Sequence, residues 1–430
     1  MKEKLNKEFV INLSKKKQEP DWMLKHRLAA YENFLHQKEP NFGPDIHINF
    51  DEICYYKDKT NTMTNKWDKV ACNIKTTFDD LGVIEAEKKY LGGVTNQYES
   101  EVFYHNQTLG NGIIFTSTDD ALKKYPELFK KYFNNLVKYE ENKYTALNNA
   151  VWSGGSFIYV PKGVKVDKPL QSYFRIETES LGQFEHTIII VDDNADLSYI
   201  EGCTATAYSK TSLHAGVVEI YVGKNAKCRY STIQNWSTDV YNLVTKRAIV
   251  DDNGLMEWVD GNIGSGLTMK YPSCILKGDN SVGNSISVAY AKQNQVLDAG
   301  AKMIHLGKNT KSSIISKSIA EAGGIANYRG TTKITKNAFN SEATIKCDTI
   351  ILDDISKSDT FPKNIVGNQS STLTHEATVS KLDADKLFYL CSKGLSEDQA
   401  RELLIMGFIT DFKNELPMEY AVELNRLIKE

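Results

Sequence analysis

The chain has 430 residues, of which 41% are hydrophobic and 25% charged, with 52 basic against 55 acidic side chains for a formal net charge of −3. That near-balance argues against nucleic-acid binding through bulk positive charge, and apolar runs such as 188–191 and 403–406 fall far short of the roughly 18 residues that a membrane-spanning helix needs. The seven cysteines, at positions 54, 72, 203, 228, 274, 347 and 391, contain no C-x-x-C pair, so no self-contained zinc or ferredoxin-type site is legible, and their odd number fits a reducing compartment.

Lys2, Lys4, Lys7, Lys15, Lys16 and Lys17 precede the first arginine, Arg27, and are interrupted by Glu3 and Glu8. A transit peptide is Arg-rich and poor in acids, so a solvated arm is expected here. From Trp22 to about Leu147 the pattern predicts amphipathic helix: Leu24, Leu28, Tyr31 and Leu35 follow helical spacing, and Asp119 is placed to cap a helix running through Tyr125. This N-terminal helical domain, residues 1–150, offers packing rather than chemistry. Its Tyr- and Glu-rich run 90–106 reads as exposed loop and edge packing, with a partner surface as the alternative.

At Trp152-Ser153-Gly154-Gly155 the texture changes to short β-branched runs separated by Asp, Asn, Gly and Lys. The turn clusters DDNA, GKNA, DDNG, GDNS, GKNT and TKNA place Asn at 194, 225, 253, 280, 309 and 337, with gaps of 31, 28, 27, 29 and 28 residues. Repetition at that length, built of strands and turns alone, predicts a parallel β-helix over residues 151–372. A β-propeller, with blades of about 40 residues and an aromatic signature, fits less well. The pairs Asp192-Asp193, Asp251-Asp252 and Asp353-Asp354 fall on the turns, where Asp bonds its local backbone. They read as turn residues, not as the carboxylates of a carbohydrate-active β-helix enzyme.

Beyond a loop with Phe361-Pro362, residues 373–430 form a C-terminal helical domain. Asp383 heads a helix through Leu390, Gly394 ends it, and Ser396 with Gln399 makes a capping box for a second helix to Phe408. The tail PMEYAVELNRLIKE predicts a further amphipathic helix, and the module as a whole suits docking to another protein. The fold class expected is mainly β, a parallel β-helix flanked by helical domains. No G-x-x-x-x-G-K-[ST] and no G-x-S-x-G is present, so neither nucleotide hydrolysis nor serine-nucleophile chemistry is expected of this chain.

Seven segments in order, WSGGSFIYVPKGV, YIEGCTA, TIQNWSTDVYNLVTKRA, MKYPSCILKGDNSVG, AGAKMIHLGKNTKSSIISKSI, CDTIILDD and HEATVSKLDADKLFYLCSKGLSEDQARELLIMGFI, resemble the SufB/SufD family of SUF iron–sulfur cluster assembly scaffolds, on its SufB side. The resemblance spans about residues 20 to 430. It implies a right-handed β-helix, C-terminal helices that dock the ABC-type ATPase SufC, and pairing with SufD or with a second copy of the chain. It also implies sulfur delivery by a cysteine desulfurase with its sulfur-transfer protein, and release of a transient cluster, of the 4Fe-4S type, to carriers or apo proteins. In this picture the chain is a scaffold rather than an enzyme, without nucleic-acid or membrane partners, and works in the cytoplasm or, if organelle-encoded, in a plastid stroma. Reduced flavin accompanies some complexes of the family, and the sequence shows no flavin motif.

By the same resemblance Cys203 of the EGC string is the sulfur acceptor, and Arg175, Gln234, Trp236 and Lys246 line the sulfur path. A persulfide acceptor reacts as a thiolate, which a nearby cation such as Arg175 favours. The family often carries Asn where this chain has Glu177, an acid placed to pair with Arg175 and weaken that effect. Cys347 matches the cysteine that holds the nascent cluster, with His375 and Glu376 as further iron ligands; Thr374 stands where relatives often have an acid. With one cysteine and mixed ligands in the chain, a second subunit is expected to complete the site. Cys54, Cys72, Cys228, Cys274 and Cys391 are assigned structural roles. The rival reading is a SufD-like structural subunit that accepts no sulfur.

Overall fold

The turn spacing is realised as strand stacking. The computed structural model describes residues 4–57, 64, 91–107, 109–205 and 211–416. Its centre is a β-solenoid of two facing sheets, one of ten strands and one of thirteen. The ten-stranded sheet opens with the antiparallel pair Glu101–Gln107 and Gly93–Tyr98. It continues in parallel through Leu170–Ile176, Asp196–Ala205, Lys227–Trp236, Leu255–Gly264, Val282–Ala291, Lys311–Ala320 and Glu342–Ile351 to Thr372–Lys381. Because side chains alternate faces along a strand, each register row sends one residue per coil to the same side. The inner rows are closely packed: Leu197, Cys228 and Met256 share one, Tyr199, Tyr230 and Trp258 another.

The turns explain the period. Asn194, Asn225, Asn253, Asn280 and Asn309 adopt φ between 53° and 59°, a left-handed conformation that Asn tolerates better than most side chains. Each donates its backbone N–H to the carbonyl that precedes the left-handed residue of the next coil, at 2.8–2.9 Å. The sixth position is Asn340 rather than Asn337: Asn309 bonds the Phe339 carbonyl, and Asn340 has φ 55°. The aspartates bond the turn backbone as expected, Asp193 Oδ1 accepting from Lys224 N–H and Asp252 Oδ1 from Asp279 N–H.

Among its described residues, the N-terminal third is not helix throughout. Helices Lys7–Lys16, Asp21–His36, Thr118–Lys124, Pro126–Tyr132 and Lys143–Val151 are present, but residues 93–107 form a largely buried hairpin that extends the ten-stranded sheet, and Ile114–Ser117 extends the other. Helix Asp21–His36 buries Met23, Arg27, Ala30, Tyr31 and Phe34, and leaves Leu35 exposed. The apolar spacing missed that face because its centre is an arginine, held by Glu19 and by the carbonyls of Ala150 and Trp152. Ser117, not Asp119, caps helix Thr118–Lys124. Asp119 instead accepts from Gly154 N–H and pairs with Lys17.

At the other end the β structure continues through Lys381. Asp383 caps helix Ala384–Ser392, Gly394 has φ +100°, and Ser396 with Gln399 forms the capping box of helix Glu397–Phe408. Ile405, Ile409 and Phe412 pack on Ile233, Val259 and Val288 of the ten-stranded sheet. The expected tail helix and Cys72 lie outside the described residues.

Candidate functional site

Strand Asp196–Ala205 sends Glu201 and Cys203, two residues apart, into the solenoid. Cys203 is paired in register with Phe174 on one side and Gln234 on the other, and is 2% exposed. Its Sγ lies 3.9 Å from Glu201 Oε1, the oxygen that also stands 3.3 Å from Lys246 Nζ. The other oxygen of Glu201 accepts from the Tyr230 hydroxyl. Lys246 reaches 3.9 Å from Asp260 Oδ1, and Lys270 lies 3.1 Å from the same oxygen. Lys270 also donates to Gln234 Oε1 at 3.1 Å, and Asn242 Nδ2 donates there at 2.8 Å. Asn242 Oδ1 in turn faces His214 Nδ1, whose Nε2 is 2.5 Å from Glu185. Burial lowers the pKa of His214, but Glu185 and Asn242 at its two ring nitrogens outweigh that and raise it.

All of these side chains are buried, so the interior here is an ion-pair network rather than an apolar core. Several polar atoms in it have no hydrogen-bond partner: Gln234 Nε2, Trp236 Nε1, Asp260 Oδ2 and Asn262 Oδ1. Buried polar atoms without partners are rare in folded proteins, and each calls for an explanation such as a water, an ion or a catalytic role. Burial, then Glu201 and Glu185, push the Cys203 thiol well above its ordinary value, while Lys246 and Lys270 pull it down.

Three of the four path residues come together around Cys203. Gln234 and Trp236 enter the same interior, the Trp236 ring standing 4.7 Å from the His214 ring, and Lys246 joins them from strand Val240–Val250. Arg175 does not. It is opposite Thr204 in register, one residue out of phase with Cys203, and its side chain turns to the outer face, where Nε donates to Glu177 at 2.8 Å. The pairing with Glu177 is the one expected; the cations that act on Cys203 are lysines.

Cys347 lies five strands further along the sheet. It occupies the register row that runs from Glu201 through Thr232, Asp260, Ser287 and Ser316, and that continues on the other side of Glu201 to Ser172 and Thr95. At about 4.8 Å per strand the row spans about 24 Å from Glu201 to Cys347. Ser287 Oγ donates to Ser316 Oγ at 3.2 Å along it. Cys347 Sγ is 3.7 Å from His375 Nε2 on the last strand. Burial pushes its thiol up to about 12, against the opposing pull of the Tyr328 hydroxyl on the facing sheet. Glu376 follows His375 directly, so it points to the opposite, outer face together with Thr374, and both are exposed. The structure therefore brings Cys347 and His375 together and leaves Glu376 apart. Among the described residues no group of three or more His, Cys, Asp and Glu side chains is placed to hold a metal ion.

Glu201, Asp260, Lys270 and Tyr328 were not singled out by sequence reasoning. For Asp260 a signal was present: adding the turn gaps to Glu201 leads to Thr232, Asp260, Ser287 and Ser316, and the final gap, 31 residues between Asn309 and Asn340, leads to Cys347; Lys270 and Tyr328 lie on the facing sheet and have no such signal.

A parallel solenoid with a charged, cysteine-bearing interior and an open final coil is the setting in which the comparisons with known proteins take their meaning. Residues 174–408 match the model for the SufBD core domain of SUF-system FeS cluster assembly proteins, and residues 12–172 match the model for the SufBD protein N-terminal region. The chain belongs to the SufBD family of the SUF iron–sulfur cluster assembly system. It is 54% identical to the iron–sulfur cluster assembly protein SufB of Bacillus subtilis, over 99% of this chain and 92% of that protein. It is 55% identical, over the same shares, to an iron–sulfur cluster assembly SufBD family protein of Staphylococcus haemolyticus. No helix among the described residues is long and apolar enough to cross a membrane.

Proposed function

We propose that the chain is a scaffold for iron–sulfur cluster assembly that accepts sulfur at Cys203, conducts it along the solenoid interior, and delivers it to iron at Cys347. The observation that carries this reading is the inner row from Glu201 to Cys347, whose positions between are Thr, Asp and Ser, and which is flanked by a second largely polar row, Cys203, Gln234, Asn262, Ala289, Ser318 and Thr349. Gln234, Trp236, Lys246 and Lys270 line its first part, and unpartnered polar atoms mark it as a place for a polar passenger.

Iron is here the cargo. Cys347 and His375 supply two donors on the last two strands of the sheet, so further donors come from a second subunit across that edge, SufD or another copy of this chain. Apolar side chains exposed around the final coil, Ile365, Val366 and Val379, support an interface there. Exposed Phe388, Tyr389 and Leu403 on the C-terminal helices support docking of the SufC ATPase, whose ATP-driven movement opens the subunit edge. The chain itself does no enzymatic step in this reading, and it works in the cytoplasm. Its partners are a desulfurase with its sulfur-transfer protein upstream and carrier or apo proteins downstream. Arg175 and Glu376 lie on the outer face, outside this route.

The interior route is tested by blocking it. In Ser316→Leu, with Ser316→Ala as the control, sulfur supplied by the desulfurase system is expected to remain as persulfide on Cys203 and no cluster to form. A folded Ser316→Leu protein that assembles cluster like the wild type removes the interior route.

A further inference from the structure

We propose that Glu201 is the proton acceptor for Cys203, and that the proton it takes frees Lys246 to hold the sulfur Cys203 gains. This rests on the sulfur-acceptor reading of Cys203 and supplies the chemistry of that step. The thiolate is the nucleophile in sulfur exchange, yet Cys203 is buried as a neutral thiol, so its proton must pass to a group in reach. Glu201 Oε1, 3.9 Å from Sγ, is that group, and Lys246 Nζ stands 3.3 Å from the same oxygen. Glu201 thus touches both the reacting sulfur and the nearest cation.

The surrounding charges leave this arrangement free to operate. Asp260 holds Lys270 at 3.1 Å, and Glu185 holds His214 at 2.5 Å. Tyr230, which donates to Glu201, and Tyr199 on its own strand have pKa values raised well above the usual tyrosine value and stay neutral. Lys246, Lys270 and His214 face the carboxylates of Glu201, Asp260 and Glu185, so an additional anion on Cys203 is accommodated when one carboxylate takes a proton.

The sulfur source is a protein-bound persulfide, R–S–SH. Cys203 Sγ attacks its terminal sulfur as the thiol proton moves to Glu201 Oε1. The new Sγ–S bond forms, the donor S–S bond breaks, and its electron pair leaves with the donor as R–S⁻. The transferred sulfur then gives its proton to that leaving thiolate, which leaves a Cys203 persulfide anion beside a neutral Glu201 carboxyl. Lys246, released from Glu201 and left with only the more distant Asp260 at 3.9 Å, pairs with the anion. Nothing is oxidised or reduced overall, because the sulfane sulfur exchanges one thiol partner for another.

The test uses the full chain under anaerobic conditions with glutathione persulfide as the sulfur source, following the mass gain of one sulfur on the Cys203 peptide between about pH 6 and pH 9. With each rate divided by the fraction of persulfide present as R–S–SH, the wild type is expected to react at a rate nearly independent of pH. Glu201→Gln is expected to react at least about a hundredfold more slowly at neutral pH, with a rate that rises roughly tenfold per pH unit, and Glu201→Asp to recover part of the loss. Glu201→Gln/Lys246→Met, which removes both charges, keeps the test valid if the single variant fails to fold, and shows the same slow, rising profile. A folded Glu201→Gln or double variant with the wild-type rate and profile overturns the role of Glu201 while leaving Cys203 as acceptor. A wild type that gains no sulfur at Cys203 overturns the acceptor reading and this proposal with it.

Discussion

Asp260 Oδ1 is shared by two buried lysines, 3.1 Å from Lys270 Nζ and 3.9 Å from Lys246 Nζ. This one carboxylate lies midway in the ion-pair network inside the solenoid and in the row that joins Glu201 to Cys347. Removing it leaves two cations facing each other away from water. Breaking a buried pair from one side is far more damaging than replacing both partners, because the orphaned charge stays desolvated. Asp260→Asn is therefore expected to lower the stability by about 3–5 kcal/mol in urea unfolding. Asp260→Asn/Lys270→Met is expected to lose less than the two single variants together. Additive losses in that double-mutant cycle would show that the pair is not coupled.

His305 gives the protein an acid sensitivity separate from its carboxylates. It is fully buried between the hydroxyls of Thr310 and Ser312, and burial pushes its pKa from 6.5 down to about 4. The unfolded chain binds a proton between those values and the folded chain does not, so this stability is present above pH 6.5 and drains away as pH falls towards 4. The loss amounts to about 3 kcal/mol. Urea midpoints of His305→Gln across that range are expected to fall less steeply than those of the wild type, and parallel curves would refute the assignment.

The turn asparagines are chosen for backbone conformation first and for their side chains second. Asn253 has φ 54° and its Oδ1 accepts from Asn280 Nδ2 at 3.1 Å. Asn253→Ala forces a left-handed alanine and loses that bond, for a loss of about 1–2 kcal/mol. Asn253→Gly keeps the conformation and is expected to unfold at a denaturant midpoint between those of the wild type and Asn253→Ala. A glycine variant weaker than the alanine variant would mean the side-chain ladder, not the conformation, sets the requirement.

Cys228 and Cys274 serve as internal controls. Both are buried in the solenoid core, with thiols raised by burial, Cys274 to about 12. Their alanine variants are expected to lose about 1–2 kcal/mol of stability and to accept sulfur and assemble cluster as the wild type does. Loss of assembly in a folded Cys228→Ala would add a cysteine to the site.

The sequence was most legible where a residue answers to local backbone chemistry. Five of the six turn asparagines, the caps at Asp383 and Ser396, and the end at Gly394 fall where the local rules put them. The exception, Asn337 in place of Asn340, is a choice between two nearby turn residues that only stacking on the neighbouring coil decides. That slip of three residues also hid the row through Cys347. Arg175 and Glu376 show the limit of carrying a role over by motif: each sits one residue out of phase with the inner face, and a strand sends adjacent side chains to opposite sides. Lys270 and Asp260 were passed over because charged residues in strands are ordinarily solvated, and only closure of the two sheets buries them.

The account turns on two cysteines about 24 Å apart acting in one process. The most direct test is to co-express the chain with SufC, SufD and the sulfur-donor system, isolate the complex anaerobically, and measure its iron, acid-labile sulfide and visible spectrum. The wild type is predicted to carry cluster, Cys203→Ala to lack it for want of sulfur, and Cys347→Ala to lack it while retaining persulfide on Cys203. Cluster content unchanged from the wild type in both variants would contradict the account.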